Sequence, residues 1–171
     1  MTVVIDWAAE SDAIVLGEAT ADMVRELVRS CSPESLQARF SLPGAPDPDR
    51  VFARYRRYLL SGPPGGTATL ATVSDRPIGL LNLVVVADGL VEVGLLVADR
   101  WQGRGVATGL LAVELTGPRW AGWTVLADVR ADNTAARRLL AAQRWGVRRR
   151  VAAAGEHLQY EIVVGAVDPR R

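Results

Sequence analysis

Residues 102–108 combine two glycines with a small residue, between two apolar stretches of the chain. Gly103 and Gly105 lie two positions apart, and Ala107 follows two positions later. Glycine leaves the backbone N–H groups uncovered and adopts turn conformations that other residues avoid. The first N–H groups of a helix have no partner within the helix, so a loop that leads into a helix can bind an anion. The segment therefore predicts a phosphate-binding turn between a strand and a helix.

Three other kinds of turn have glycines at similar positions. A dinucleotide-binding turn has the spacing G-x-G-x-x-G, but Thr108 occupies the place of the third glycine and no βαβ unit opens the chain. A Walker loop requires a lysine, and the sequence contains none. A plain strand-to-helix turn needs only a glycine near its start, and the glycines alone leave that interpretation open.

Few residues could support nucleophilic or metal chemistry. Cys31 is the single cysteine and His157 the single histidine, so the sequence predicts neither a disulfide framework nor a metal cofactor. Cys31 has no base near it in sequence and is predicted to fill apolar space. His157 follows Gly-Glu, which indicates a surface turn, with a role as acid or base as the alternative.

Length and charge narrow the class of protein. The 171 residues suit a single domain, here residues 1–171, and can bury a core without disulfides or metals. Twenty basic residues, all arginine, balance nineteen acidic ones to a net charge of +1, which gives no reason to expect nucleic acid or a membrane as a partner. No apolar run approaches the roughly 18 residues of a membrane span, and the first residues do not resemble a leader. We expect a cytoplasmic protein.

Helices and strands that position the loop can be read from the apolar spacing. Thr20, Ser32 and Asp47 each precede an apolar-faced helix, in the last two cases with proline at the first helical position. After an extended segment at 2–7, strands are predicted at 13–17, 67–73, 78–86, 90–97, 124–129, 146–152 and 158–164.

Connection lengths then predict how these strands pair. Short turns join 67–73, 78–86 and 90–97, which indicates an antiparallel meander. A helix beginning near Val106 connects strand 90–97 to strand 124–129, so these two strands should be parallel. A further helix begins near Asn133 and precedes a closing hairpin.

The segment 91–115 resembles the acetyl-CoA loop of the GNAT superfamily of N-acetyltransferases. Gln102, Gly105 and Ala107 match its pattern Q/R-x-x-G-x-G/A. Glu92, Gly94 and the apolar residues around them match the strand that precedes the loop in that family. The resemblance extends from about residue 14 to residue 164. It implies an α/β (α+β) GNAT fold, with a mixed, mostly antiparallel sheet of about six or seven strands flanked by helices and splayed between the fourth and fifth strands.

The resemblance also implies acetyl-CoA as co-substrate and assigns its binding residues. The loop amides would bind the pyrophosphate, the strand before the loop would pair with the pantetheine arm, and Asn133 would contact that arm from the other side. The implied cofactor-binding residues are Leu95, Leu96, Val97, Gln102, Gly103, Arg104, Gly105, Val106, Ala107, Thr108, Asn133 and Ala136.

Acetyl transfer to an amine requires a group that accepts the proton lost by the amine. Glu92 is the one charged residue in strand 90–97, and strand alternation places it on the same face as Gly94 and Leu96. We therefore predict Glu92 as the general base, acting directly or through water. The alternative is an exposed strand residue whose charge faces solvent.

A second family signature lies at residues 133–145 and departs from the pattern at two places. Asn133, Ala136 and Leu139 match, and Trp145 occupies the aromatic position. Leu140 stands in place of the tyrosine often assigned as general acid, and Arg144 replaces a glycine. Tyr55, Tyr58, Tyr160 or a water are the alternative proton donors.

Residues 32–40, Ser-Pro-Glu-Ser-Leu-Gln-Ala-Arg-Phe, resemble a segment of the bacterial protein-lysine acetyltransferase (Pat-like) subgroup. The sequence thus predicts acetyl transfer to a primary amine within a ternary complex, with a protein lysine as acceptor. A small amine, such as an antibiotic, a polyamine or an amino acid, is the alternative acceptor. A non-catalytic acyl-CoA-binding module is the alternative class. We expect a monomer or a homodimer.

Overall fold

Eight strands form one mixed sheet in the computed structural model of the protein, which describes residues 3–5 and 13–165. In chain order they are β1 (Val3–Ile5), β2 (Ile14–Glu18), β3 (Gly66–Val73), β4 (Arg76–Ala87), β5 (Leu90–Val97), β6 (Thr124–Arg130), β7 (Gly146–Ala154) and β8 (His157–Val164). The five helices of this part of the chain are α1 (Ala21–Arg29), α2 (Pro33–Phe40), α3 (Pro48–Leu59), α4 (Val106–Leu115) and α5 (Thr134–Ala142). Short 3₁₀ turns lie at Asp99–Trp101 and Pro118–Trp120.

The strand order is β1-β2-β3-β4-β5-β6-β8-β7, and every neighbouring pair is antiparallel except β5 and β6. The meander β3-β4-β5 and the parallel pair are as predicted. The sheet has more strands than the six or seven expected, because Val3–Ile5 pairs with β2 at the edge. The rest of the extended segment predicted at 2–7 lies outside the described residues.

The parallel pairing between β5 and β6 is short. It covers Leu90–Glu92 on β5 and Thr124–Leu126 on β6, while β5 stays paired with β4 along its whole length. Beyond Glu92 the two strands separate. This confirms the predicted splay and opens the sheet in its middle.

Helices pack on both faces of the sheet, over two apolar cores. Alternate residues of a strand point to opposite faces, so Leu80 joins the core beneath α1, α2 and α3, whereas Leu81 joins the core that contains the α4 and α5 side chains. Leu96 belongs to the first core and is 4% exposed. β5 therefore presents Glu92, Gly94 and Leu96 towards α2 and α3, as the alternation predicted.

The predicted helix starts are also confirmed. The side chains of Thr20, Ser32, Asp47 and Asn133 accept hydrogen bonds from backbone N–H groups three residues later, at 3.4, 3.2, 2.8 and 3.0 Å. Such caps satisfy helix N–H groups that have no partner within the helix. α4 differs, because its first residue follows Gly105 without a side-chain cap. Among the described residues, no helix is long and apolar enough to cross a membrane.

Candidate active site

The separation of β5 and β6 creates a cleft, here called the wedge. Its walls come from four elements: β5 on one side, β6 on the other, and helices α2 and α5 beside them. The lining residues are Ala38, Arg39, Val93, Gly94, Leu95, Ala127, Asp128, Val129, Asn133, Ala136, Leu139 and Leu140. Leu95, Asn133 and Ala136, which were predicted to bind the cofactor, thus face one cavity.

Backbone groups of β5 are available to a ligand in the wedge. The N–H of Thr124 on β6 donates to the C=O of Gly89 at 2.9 Å, just before β5 begins. Because backbone groups alternate along a strand, Leu95 and Val97 direct theirs to the same side, where β6 has moved away. The Val97 carbonyl already accepts a hydrogen bond from Gln102 Nε2 at 3.1 Å. The backbone groups of Leu96 point to the opposite side of β5, away from the wedge. Its side chain is buried and packs in the core.

Residues 102–105, here called the glycine loop, lie between β5 and α4. Gly103 and Gly105 adopt left-handed conformations, with φ of +71° and +83°, which glycine tolerates and β-branched residues do not. The first α4 hydrogen bond runs from the N–H of Gly109 to the C=O of Gly105 at 2.9 Å. The N–H groups of Val106, Ala107 and Thr108 precede it and have no intrahelical acceptor. A phosphate group fits this arrangement of donors.

The side chains of Arg104 and Gln102, both in the loop, contact residues outside it. Arg104 is exposed and its Cζ lies 5.2 Å from the ring centroid of Trp101. Gln102 Nε2 donates to Ser35 Oγ at 3.0 Å, which joins the loop to α2. The glutamine of the motif therefore has a structural role that the sequence alone did not indicate.

Asp99 strengthens the link between the loop and α2. Its carboxylate accepts hydrogen bonds from the N–H and Oγ of Ser32, both at 2.7 Å, and from Ser35 Oγ at 2.8 Å. Burial on its own would raise the pKa of Asp99, but the hydrogen bonds from Ser32 and Ser35 outweigh it and hold the pKa below the usual value. Sequence reasoning missed this residue, because 67 positions separate Asp99 from Ser32 and no motif connects them.

Glu92 is half-buried at the narrow end of the wedge and faces a tyrosine of α3. The hydroxyl of Tyr58 donates to Glu92 Oε1 at 3.4 Å. Burial raises the pKa of Tyr58; the positive charge of Arg39 lowers it, and the carboxylate of Glu92 raises it again. Tyr58 thus stays protonated near neutral pH. The alternative in which Glu92 faces solvent from an open strand does not fit this environment.

The other candidate proton donors lie elsewhere. Tyr160 is 6% exposed in the core beneath α4 and α5, and Tyr55 stacks on Phe40 with 4.6 Å between ring centroids. Leu140, at the place of the family tyrosine, is 3% exposed and lines the wedge with an apolar side chain. Of the three tyrosines, Tyr58 is the one beside Glu92.

Cys31 and His157 each contact a polar group of a neighbouring residue. Cys31 is buried, its Sγ lies 3.3 Å from the carbonyl of Leu27, and burial raises the pKa of its thiol to about 12. This agrees with its predicted role as apolar filler. His157 begins β8, and its Nδ1 lies 2.7 Å from Asp128 Oδ1 on β6.

Arg39 of α2 reaches over β5 and lines the wedge. A Cβ atom at Gly94 would overlap with Nη2 and Cζ of Arg39, so the guanidinium occupies the space that a side chain at Gly94 would fill. Its Cζ also lies 5.0 Å from the ring centroid of Phe40 and 5.3 Å from that of Tyr58. In the sequence Arg39 stood out only as part of the segment 32–40.

Sequence comparison agrees with the fold and the loop. The family model described as "Acetyltransferase (GNAT) family" matches residues 21–146. This range contains the helices α1 to α5, the wedge and the glycine loop. The chain therefore belongs to the GNAT acetyltransferase family. Comparison with curated proteins gave no significant match.

Solved structures with the same fold include acetyltransferase domains with and without cofactor. The GNAT domain of S. lividans PAT is 20% identical, with a TM-score of 0.70 over 89% of this chain and 91% of that one. The protein yncA from Salmonella typhimurium, solved with acetyl-CoA, is 18% identical, with a TM-score of 0.60 over 92% and 95%. RimL, a ribosomal alpha-N-protein acetyltransferase solved with coenzyme A, is 12% identical, with a TM-score of 0.64 over 97% and 100%. At these identities the similarity establishes the fold.

Proposed function

We propose that the protein is an N-acetyltransferase that moves the acetyl group of acetyl-CoA to a primary amine by direct attack in a ternary complex. The observation that carries this proposal is the placement of three features along one path. The glycine loop follows β5 at the open end of the wedge, the strand groups that β6 leaves without a strand partner come next, and Glu92 lies at the narrow end. From Val97 to Glu92 the path measures about 16 Å, at ~3.3 Å per strand residue.

The co-substrate fits this path through contacts of known type. The N–H groups at the start of α4 would bind the pyrophosphate of acetyl-CoA. The groups of Leu95 and Val97 would pair with the pantetheine arm, as a further strand pairs with a sheet. Asn133 Oδ1 caps α5 through the N–H of Ala136 at 3.0 Å, so its amide NH₂ is the group turned to the cofactor. The structures of yncA with acetyl-CoA and RimL with coenzyme A support this choice of ligand.

The chemistry follows from the groups at the narrow end. The amine nitrogen attacks the thioester carbon, and a C–N bond forms as the carbonyl oxygen takes the negative charge. The C–S bond then breaks and coenzyme A leaves as a thiolate. Glu92 accepts the proton that the amine nitrogen loses, directly or through water. Tyr58, whose pKa is raised by burial, donates to Glu92 at 3.4 Å and is the tyrosine beside that step.

A protein lysine is the first acceptor class that we propose. Its support is the resemblance of residues 32–40 to the protein-lysine acetyltransferase subgroup, together with the fold shared with S. lividans PAT. RimL, by its name, acetylates the α-amine of a protein. A small amine is the alternative acceptor.

A non-catalytic acyl-CoA-binding module is favoured by one observation, the apolar Leu140 where the family often has a tyrosine. The two classes agree on cofactor binding and differ in turnover. The deciding experiment assays release of free coenzyme A thiol with a panel of lysine peptides, polyamines, aminoglycosides and amino acids. An enzyme releases thiol above the hydrolysis background with at least one acceptor. Background rates throughout, with acetyl-CoA bound by calorimetry, would instead identify a binding module.

A further inference from the structure

The guanidinium of Arg39 lies against the hydroxyl of Tyr58 but has no carboxylate partner among the described residues. Its Nε and Nη2 are buried, and neither donates a hydrogen bond to an acceptor in that part of the chain. The ion pairs found there involve other arginines and no carboxylate pairs with Arg39. Leaving a charged donor buried and unpaired costs free energy. By contrast, the buried side chain of Asn82 donates to the carbonyl of Leu59 at 2.8 Å.

Packing holds the guanidinium of Arg39 in one position. Gly94 provides the space for it, and the rings of Phe40 and Tyr58 lie beside it. The helix that carries Arg39 is joined to the cofactor loop through Ser32, Ser35 and Asp99. A charged side chain that is held in the wedge with two unsatisfied N–H groups and no carboxylate indicates that a ligand supplies the missing acceptor.

The charges in the wedge favour a particular ligand. Glu92 and Gly94 lie two residues apart on the same face of β5, about 7 Å at the usual strand rise. A carboxylate at Glu92 suits an ammonium group, whereas a guanidinium over Gly94 suits a carboxylate, which arginine can bind through two parallel hydrogen bonds. A neutral thioester oxygen would leave the charge of Arg39 uncompensated.

We propose that Arg39 binds a carboxylate of the acceptor, and that the acceptors of this enzyme carry a carboxylate close to the reacting amine. This inference rests on the proposed function and specifies its substrate class. The carboxylate belongs either to a free amino acid or to an acidic side chain next to a lysine in a peptide. Because Nε and Nη2 have no hydrogen-bond partner among the described residues, both N–H groups can donate to an incoming carboxylate.

The first test compares matched acceptors by thiol release. Glycine, β-alanine and γ-aminobutyrate are each compared with the corresponding amide. A lysine peptide with glutamate beside the lysine is compared with the same peptide containing glutamine. Hydrogen bonds between charged groups predict a kcat/KM about 10 to 10² times higher for the carboxylate member of at least one pair. The pair that shows the preference identifies the source of the carboxylate. Equal kcat/KM within every pair overturns the inference.

Two variants then test Arg39 itself. Arg39→Gln should abolish the preference and leave coenzyme A affinity unchanged, whereas Arg39→Lys, which keeps the charge without the planar fork, should retain part of it. Gly94→Ala keeps Arg39 but displaces its guanidinium, and should also reduce the preference. Arg57→Gln, an exposed arginine on α3, is the matched control and should behave like the wild type. If Arg39→Gln lowers kcat equally for both members of a pair, Arg39 acts on the thioester or on the fold, and the inference is wrong.

A binding measurement separates this inference from the proposed function. Each of the three amino acids and the lysine peptide with glutamate is titrated by calorimetry into the protein saturated with coenzyme A, which lacks the acetyl group and cannot react. Binding that Arg39→Gln abolishes would support the inference even if no acceptor were acetylated, in which case the proposed function alone would fail. Absence of turnover together with binding that is undetectable or unchanged in Arg39→Gln would overturn both.

Discussion

At the scale of single residues, the candidate chemistry depends on Glu92 and on the side chains that surround it. Glu92 occupies the last β5 position paired with β6 and lies within hydrogen-bonding distance of Tyr58. A carboxylate at this place is suited to take a proton from an amine bound in the wedge. We therefore propose Glu92 as the general base and expect cofactor binding to be independent of it.

Replacement of Glu92 by glutamine tests this assignment. Glu92→Gln keeps the shape of the side chain but cannot accept the proton, so kcat should fall by ~10²–10⁴-fold near neutral pH. Part of the loss should be recovered at higher pH, where more of the acceptor amine is already deprotonated. Coenzyme A affinity, measured by calorimetry, should stay the same.

Glu26→Gln, an exposed carboxylate on α1, is the control and should retain wild-type kcat. Full activity of Glu92→Gln across the pH range would make Glu92 a structural residue. The base would then have to be His157 or an ordered water.

At the scale of secondary structure, the connection from β5 to α4 contains both the proposed phosphate site and the contacts with α2. Gly105 ends the loop in a left-handed conformation, and the N–H groups that follow it have no acceptor within the helix. Asp99, in the same connection, binds the start of α2. One turn thus aligns the phosphate site with the helix that carries Arg39.

Gly105→Val tests the phosphate site. A β-branched residue is strained at a φ of +83°, and its side chain would cover the N–H groups to which the pyrophosphate is assigned. Coenzyme A affinity, measured by calorimetry, should fall at least tenfold while circular dichroism shows that the fold persists. Gly155→Val, at a φ of +61° in the β7–β8 turn, is the matched control for strain and should not change the affinity. Unchanged affinity in Gly105→Val would contradict the assignment of the loop.

Asp99→Asn tests the link between the loop and α2. An amide accepts fewer hydrogen bonds than a carboxylate, and Asp99 is exposed, so we expect the free energy of unfolding in urea to fall by about 1 kcal/mol at pH 7. The pKa of Asp99 is lowered in the folded protein, so its stabilisation is present above the usual pKa of about 3.9 and is lost as the pH falls through the folded value. The difference between the variant and the wild type should therefore disappear in acid.

Asp22→Asn is the control for this experiment. Asp22 lies in the first turn of α1, and its side chain is 94% exposed and 3.4 Å from Arg25. The variant should unfold at nearly the wild-type urea concentration. A pH-independent loss of stability in Asp99→Asn would show that the carboxylate charge does not matter.

At the scale of the whole molecule, the wedge lies between two strands that have different antiparallel partners. β5 pairs with β4, whereas β6 pairs with β8. Past Glu92 no strand pairing joins the two described halves. A ligand that pairs with β5 and contacts α5 would join them.

Acetyl-CoA should therefore stabilise the folded protein. At a free concentration of 100 times Kd, binding to the native state alone predicts an increase of about 2.7 kcal/mol in the free energy of unfolding. Thermal unfolding followed by circular dichroism measures this as a rise in Tm that depends on ligand concentration. Gly105→Val should show little increase at the same concentration. A wild-type Tm that does not respond to acetyl-CoA would contradict binding in the wedge.

Much of this protein could be predicted from local sequence, because local interactions decide it. The cap residues Thr20, Ser32 and Asp47 set the helix starts through bonds to N–H groups three residues away. The length of each connection decided whether neighbouring strands are parallel or antiparallel. Strand alternation placed Glu92, Gly94 and Leu96 on one face. The glycine-rich turn could be recognised from residues 102–108 alone.

The surroundings of Glu92 were decided only by the tertiary structure. Tyr58 lies 34 positions away in the chain and was one of three tyrosines that the sequence could not rank. Asp99 binds Ser32 across 67 positions, and Arg39 packs over Gly94 although nothing in either local sequence relates them. Contacts of this kind depend on how helices pack across a sheet. Apolar spacing predicts which face of each helix or strand is buried, but it does not predict which residues of other elements that face contacts.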